Sequence, residues 1–475
     1  MRGANLAEMP TLGNRFFLAA SRQQTIFVAQ ESTKRCQVVA CGKAIGRAMA
    51  PILYSSSFRL ARLGPVLGLA TLALACLQIA SPFIGPVWHT PVSLALLAGV
   101  FLLQLLPQRR FTIGLATAMA VLLQTTSLRL LGYVLVLLSL AFWLRRRPWT
   151  MAALLVAGVV VIPKGLFQFF YHRPVLHDWV NATLLGQVFY VSALWWRERQ
   201  EGRPQIERFD AWASLTLFPA FAATPVAMSP SLIWQERRRE WKAVAETVLL
   251  VVSKALAVWA IDRFLPELRF ANLSSQRLLG LSATGLWSVL VVNYLRHALA
   301  LSGTFDLVVA TGRLLGWPLP NGFRWALLAW NPVELWRRWS VYSRKLLLKL
   351  VYFPLGGGDR HRLRNVMLTF LASGLVLHSG WIGSPYWAVN LAGLRDWTVY
   401  FLLQGISVCA CLVWWRWRGK DPREDRNLRL SGGRVVATIF TQATTVWLHV
   451  LVLAAHVPWL DRWRLMARST YAWMQ

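Results

Sequence analysis

The chain has 475 residues, of which 56% are hydrophobic and 15% charged, with 51 Lys/Arg against 20 Asp/Glu and a formal net charge of +31. A mean hydropathy of +0.44 and so small a charged fraction exclude an ordinary water-soluble domain, in which about a quarter of residues are charged. The basic excess sits in short loops between apolar runs (Arg109–Arg110, Arg145–Arg147, Arg197–Arg208, Arg237–Lys242, Arg416–Arg429). That is the pattern of cytoplasmic loops in membrane proteins, and it argues against a nucleic-acid partner.

Residues 1–62 carry nine Lys/Arg and two Glu and show no apolar segment ahead of Pro65. They predict a basic cytoplasmic extension in place of a secretory signal, with Met49 as an alternative start. Apolar runs follow at Pro65–Pro86, Pro91–Leu106, Leu130–Leu144, Met151–Ile162, Val244–Ile261, Leu278–Tyr294, Thr398–Trp415 and Val435–His456. Each is close to the ~20 residues that cross a bilayer, or somewhat short of them. With shorter segments between, they predict an all-α, multi-pass helical bundle over 63–475, of about 10–12 membrane helices with interfacial or re-entrant pieces. The two-residue period of a membrane β-strand is absent.

Loops alternate from a basic inside to Trp88–Thr90 outside and back at Gln108–Arg110, up to Arg197–Arg208 inside. The run Leu215–Met228 holds Pro219 and Pro225 between two basic loops and predicts a re-entrant or broken segment. Trp88, Trp143, Trp195–Trp196 and Trp414–Trp415 mark segment ends, where interfacial tryptophans belong. Cys36, Cys41, Cys76, Cys409 and Cys411 show neither zinc-ligand spacing nor a disulfide framework, and no metal site is expected.

The chemistry gathers between Ser302 and Trp381. His378 lies in an apolar helix beginning near Asn365, with Ser373 and Gly374 one turn before it and Ser379 and Gly380 after. A neutral imidazole in a membrane can take a proton from a hydroxyl and return it; it can equally bond a neighbouring helix. Asn331–Ser340 is amphipathic, with Arg337 and Arg338 between Trp336 and Trp339 and a Glu334–Arg338 pair at i,i+4. Its basic face, extended by Arg344, Lys345 and Lys349, suits either a phosphate-bearing ligand or anionic lipid headgroups. Tyr352–Gly358 ends a helix at Pro354 and adds three glycines, including Gly356 and Gly357. Asp306, beside Gly303 and Thr304, needs a partner if buried, and Arg313 lies two turns on along the same face.

In order, these motifs are SGTFDLVVATGRLLGWPLPNGF at 302–323, ELWRRWS at 334–340, YFPLGG at 352–357 and SGLVLH at 373–378. The series resembles the membrane-bound O-acyltransferase superfamily, nearest the bacterial alginate O-acetyltransferase and D-alanyl transfer branch. LLGQVFYVSALWW at 184–196 and LTLFPAFAATPV at 215–226 extend the likeness upstream, so that it covers about residues 180–390. The resemblance implies a bundle around a central tunnel in the cell inner membrane, and transfer of an acyl group such as acetyl onto an envelope polysaccharide hydroxyl. The donor would be acyl-CoA or an acidic acyl carrier protein, with no resident cofactor.

The family histidine maps to His378 as general base, and its second polar position to Ser340. Trp336, Arg337, Arg338, Trp339, Asp306, Gly356 and Gly357 map to donor or substrate binding. Membrane lipid and an extracellular esterase-like subunit are the partners this implies.

Three features depart from the pattern. Ser340 stands where the bacterial branch has histidine, the arginine–aspartate pair before YxPLGG is replaced around Leu348 and Lys349, and LWHG becomes LVLHSG. A serine can accept or donate a hydrogen bond but cannot buffer a proton near neutrality, which counts against a two-histidine mechanism and leaves a one-histidine mechanism standing. A lipid or wax-ester acyltransferase and an inactive membrane scaffold are the alternatives. A transporter would require paired interrupted repeats, which the sequence lacks.

Overall fold

The computed structural model describes residues 191–202, 240–378 apart from 315 and 318, 387–419, 432–454 and 457–474, with short pieces at 68–76 and 135–144 and residue 213. For 376–378, 387–393 and 471–474 it describes the backbone alone. The predicted N-terminal extension, its boundary at 62, and the proline-rich segment 215–228 lie outside the described residues. Among the described residues there are helices and turns and no strand.

Helix α1, Trp241–Phe264, turns Val244, Val248, Val251, Ala255 and Val258 inward and leaves Leu249, Leu256, Trp259 and Phe264 exposed. It packs along α3, Ala283–Leu314. Between them comes the short α2, Ser275–Gly280, begun by Ser274, whose hydroxyl accepts from the Arg277 amide (3.3 Å). The apolar run from Leu278 to Tyr294 is therefore not one span. It breaks at Leu281, and α3 runs on through the polar stretch beyond Ala300 for 32 residues in all.

From Ser302 to Gly312 every residue of α3 is buried, so its small and polar side chains face protein on all sides. The chain then passes through Trp325, in the left-handed region at φ 56°, into two short helices, α4 (Pro332–Arg338) and α5 (Val341–Leu347). A π-helical turn, Leu348–Tyr352, leads through the glycine loop to α6, Arg362–Ala372. A second π-turn, Ser373–His378, prolongs α6. Helices α7 (Trp387–Trp417), α8 (Gly432–Leu453) and α9 (Trp459–Met474) complete the chain.

Three described helices are long and apolar enough to cross a membrane: Trp241–Phe264, Leu394–Trp417 and Gly432–Leu453. Helix α8 shows the pattern most clearly. Val436, Ile439 and Phe440 are 66%, 59% and 63% exposed, whereas Thr441, Thr445 and His449 are buried. Apolar outside and polar inside is the arrangement a lipid environment favours. The first turn of α9 is tied to this bundle by Arg462, which is buried and donates to Asp396 of α7 (2.6 Å) and to the Leu451 and Val457 carbonyls (2.6 and 2.8 Å).

Candidate functional site

The site is built where α4, α5, α6 and α7 meet. Asn331 caps α4 by accepting from the Glu334 amide (2.7 Å), and Pro332 follows at the first helical position, where its missing N–H costs nothing. Ser340 then takes φ 35° and ψ 80°, unusual for a residue with a side chain, and so bends the chain from α4 into α5. Its hydroxyl accepts from the Ser343 amide (3.4 Å) and donates to the Ser343 hydroxyl (2.7 Å). Sequence reading marked position 340 without showing that it is a corner.

The four helices and the first π-turn line an open-sided cavity of about 340 Å3. Its walls are largely apolar, with Leu347, Phe353, Val366, Phe370, Phe401 and Leu412, interrupted by Ser340, Ser343 and Ser373 and by the cations Arg337, Arg344 and Arg362. Glu334 is the carboxylate on the wall, and it is held twice, by Arg337 (2.6 Å) and by Arg338 (2.5 Å). The i,i+4 pair read from the sequence is thus formed, and Arg337 joins it. Lys349 pairs with Glu198 of the helical segment 191–200 (2.6 Å).

The Arg344 Nε is buried and has no hydrogen-bond partner among the described residues. Burial, reinforced by the positive fields of Arg324 and Arg337 and only partly offset by Glu334, pulls its guanidinium below the ordinary arginine range. Burial first, and then the positive fields of Arg324, Arg344 and Lys349, pull Lys345 down against the opposing field of Glu198. An unpaired guanidinium nitrogen in an apolar wall is costly until an acceptor arrives.

Of the residues the sequence singled out, Trp336, Arg337, Trp339 and Ser340 line this cavity. Arg338, Asp306, Gly356 and Gly357 are off its wall. Asp306 is an ion-pair residue, but its partner is Lys254 of α1, not Arg313. Arg313 instead donates to Leu319 O (2.9 Å), Ala243 O (3.0 Å), Asn321 Oδ1 (2.9 Å) and Thr247, pinning the loop after α3 to the start of α1. His378 ends the second π-turn, five residues beyond the wall residue Ser373; its side chain lies outside the described residues. Gly374 lies against α7 so closely that an added Cβ would stand 2.8 Å from Thr398 Cα.

Gly356 and Gly357 take φ 97° and 59°, a turn that glycine makes without strain. The turn is held from below by Asn365, fully buried, whose amide donates to the carbonyls of Leu355 (3.0 Å), Gly357 (2.9 Å) and Arg360 (2.7 Å). Asn365→Leu is expected to lose about 1–3 kcal/mol by orphaning these carbonyls. Thermal unfolding in detergent would record the loss, and limited proteolysis should find new cleavage between Phe353 and Arg360.

Lys254 and His449 escaped the sequence reading. Each lies inside an apolar run, and an ionisable residue there was itself the available signal.

No protein-family model matches the chain. One stretch of 77 residues is 31% identical to the probable alginate O-acetylase AlgI of Pseudomonas putida and to that of Pseudomonas fluorescens, covering 16% of this chain and 16% of each relative. The match spans about a sixth of those relatives and supports a distant relationship to the membrane-bound O-acyltransferases.

Proposed function

We propose that the protein is a membrane-bound O-acyltransferase of the cell inner membrane that moves an acetyl or similar acyl group from a thioester donor to a hydroxyl of an envelope polysaccharide. The partial likeness to probable alginate O-acetylases supports the reaction class. The observation that carries the reading is Arg344: a cation without a hydrogen-bonded partner at Nε among the described residues, in a largely apolar cavity that Arg337 and Arg362 also line. Such a pocket suits a thioester donor with an apolar arm and a phosphate, as in acyl-CoA or the pantetheine arm of an acyl carrier protein. The acidity of a carrier protein matches the basic loops. An extracellular esterase-like subunit would deliver the glycan.

His378 acts as general base. It takes the acceptor hydroxyl proton, the oxygen attacks the thioester carbonyl, the carbon–sulfur bond breaks, and the proton passes to the departing thiolate. The Ser340 and Ser343 hydroxyls supply donors to the oxyanion formed on the way.

Purified protein with labelled acetyl-CoA or acetylated carrier protein tests this. Wild type is expected to release thiol and label a glycan acceptor. Arg344→Met is expected to raise the donor KM roughly tenfold, the worth of one charge-assisted hydrogen bond. The same substitution is expected to raise the melting temperature of the ligand-free protein, because a partly buried cation with an unsatisfied Nε is gone. Wild type inert with both donors and with glycan and lipid acceptors alike would remove the enzyme reading.

A further inference from the structure

Behind the aromatic wall of the cavity runs a chain of hydrogen bonds that joins α4, α7 and α8. The Trp336 indole N–H donates to Gln404 Oε1 (3.2 Å), and Gln404 Nε2 donates to the Tyr400 hydroxyl (3.3 Å). The Tyr400 hydroxyl lies 3.1 Å from His449 Nε2 and 3.3 Å from Nδ1, and Nδ1 makes its shorter contact, 2.7 Å, with the Thr445 carbonyl. Gln404, Tyr400, His449 and Thr445 are all buried, each at most 3% exposed. The imidazole is boxed in by the rings of Tyr294 and Tyr400, both 4.8 Å away between centroids, and of Trp339 and His297, both 6.1 Å away.

The two ends of the chain fix every proton between them. An indole N–H can only donate, and a backbone carbonyl can only accept. Gln404 must therefore turn its oxygen to Trp336 and its amide to Tyr400. Tyr400 must donate to Nε2, and His449 must be the neutral tautomer with its proton on Nδ1. A reversal anywhere would set two donors or two acceptors face to face. An apolar side chain at 449 would fill space but would leave Tyr400 free to turn and Gln404 free to flip. Fully satisfied polar networks of this kind select one arrangement among several that apolar packing allows.

We propose that His449 is a positioning residue for the cavity: held by Thr445, it orients Tyr400 and Gln404, and through them the Trp336 indole on the cavity wall. Trp336 precedes Arg337 directly and Ser340 by four residues, and all three line the cavity, so the chain bears on the shape of the wall that carries these cations and hydroxyls. His449 is not among the residues that line the cavity, and its imidazole nitrogens are engaged by Tyr400 and the Thr445 carbonyl.

The test uses the full chain labelled with 5-fluorotryptophan in detergent, the Trp336 signal being assigned by its loss in Trp336→Phe. His449→Leu is expected to shift or broaden that signal. His449→Gln, whose side-chain oxygen can accept from Tyr400 in place of Nε2, is expected to return it to its wild-type position. In donor kinetics, an arm that rests on the acyl-transfer reading, His449→Leu is expected to raise KM roughly tenfold by loosening the wall, with kcat at saturating donor unchanged and the glutamine variant recovering. Should His449→Leu not fold, Tyr400→Phe removes only the bridging hydroxyl and makes the same comparison. An unmoved Trp336 signal in a variant whose melting temperature has fallen would overturn the proposal and leave His449 as packing alone. A protein inert toward every donor would remove the kinetic arm and the acyl-transfer reading, while the fluorine signal would still decide the role of His449.

Discussion

Replacing Lys254 with methionine is expected to destabilise the protein by about 3–5 kcal/mol, the cost of leaving a buried charge without its partner. Lys254 sits within the α1 span and pairs with Asp306 of α3. The pair is unequal: the Asp306 side chain is 2% exposed and that of Lys254 18%. Losing the lysine strands the more deeply buried member, which has nowhere to go. Asp306→Asn is expected to cost less, because the amide can still accept from Lys254 and the lysine stem can carry its ammonium towards a wetter region. Lys254→Met combined with Asp306→Leu should recover most of the stability, since apolar replacement of a whole buried pair is often neutral. A double-mutant cycle read by thermal unfolding in detergent measures the coupling. A Lys254→Met protein as stable as wild type would show that Asp306 is neutral or otherwise partnered.

How the pairing was missed shows which information one chain's periodicity holds. Spacing along a single helix is legible: the Glu334–Arg338 pair follows from i,i+4 geometry and is formed at 2.5 Å. The same logic applied to Asp306 points to Arg313, because both lie on one face of α3. The actual partner comes from α1, fifty-two residues earlier, and no pattern within α3 can report which helix lies alongside it. Beyond Ala300 the chain is more polar, and burial on every side lets polar and small residues continue one helix.

Ser340 shows a further limit. Its place after the two tryptophans is legible, but its left-handed backbone depends on the chain having to turn between α4 and α5. The π-turn that ends at His378 is likewise invisible to a reading at 3.6 residues per turn. The helix start near Asn365 was legible within three residues, since Arg362 begins α6. The role of Asn365 was not, because its three acceptors belong to a loop whose course only the folded backbone defines.

Alanine at His378 is expected to reduce acyl transfer by roughly 10²–10⁴-fold at saturating donor, the range of a lost general base, with donor binding near wild type. The contrast with Ser340 makes this specific. Ser340 cannot hold a proton near neutrality, and its hydroxyl caps α5, so Ser340→Ala is expected to cost about 1 kcal/mol of stability. Its effect on rate should be small, because the Ser343 hydroxyl stands 2.7 Å away on the same cavity wall and can present a donor in its place. Removing both hydroxyls, in Ser340→Ala/Ser343→Ala, is expected to lower kcat by about 10²-fold, the worth of an oxyanion donor. Single-turnover thiol release across these variants separates the roles, since a base and an oxyanion donor both act in the chemical step while a helix cap acts on folding. Transfer that survives His378→Ala but collapses in the double serine variant would move the proton-accepting role away from His378 and end the one-histidine mechanism.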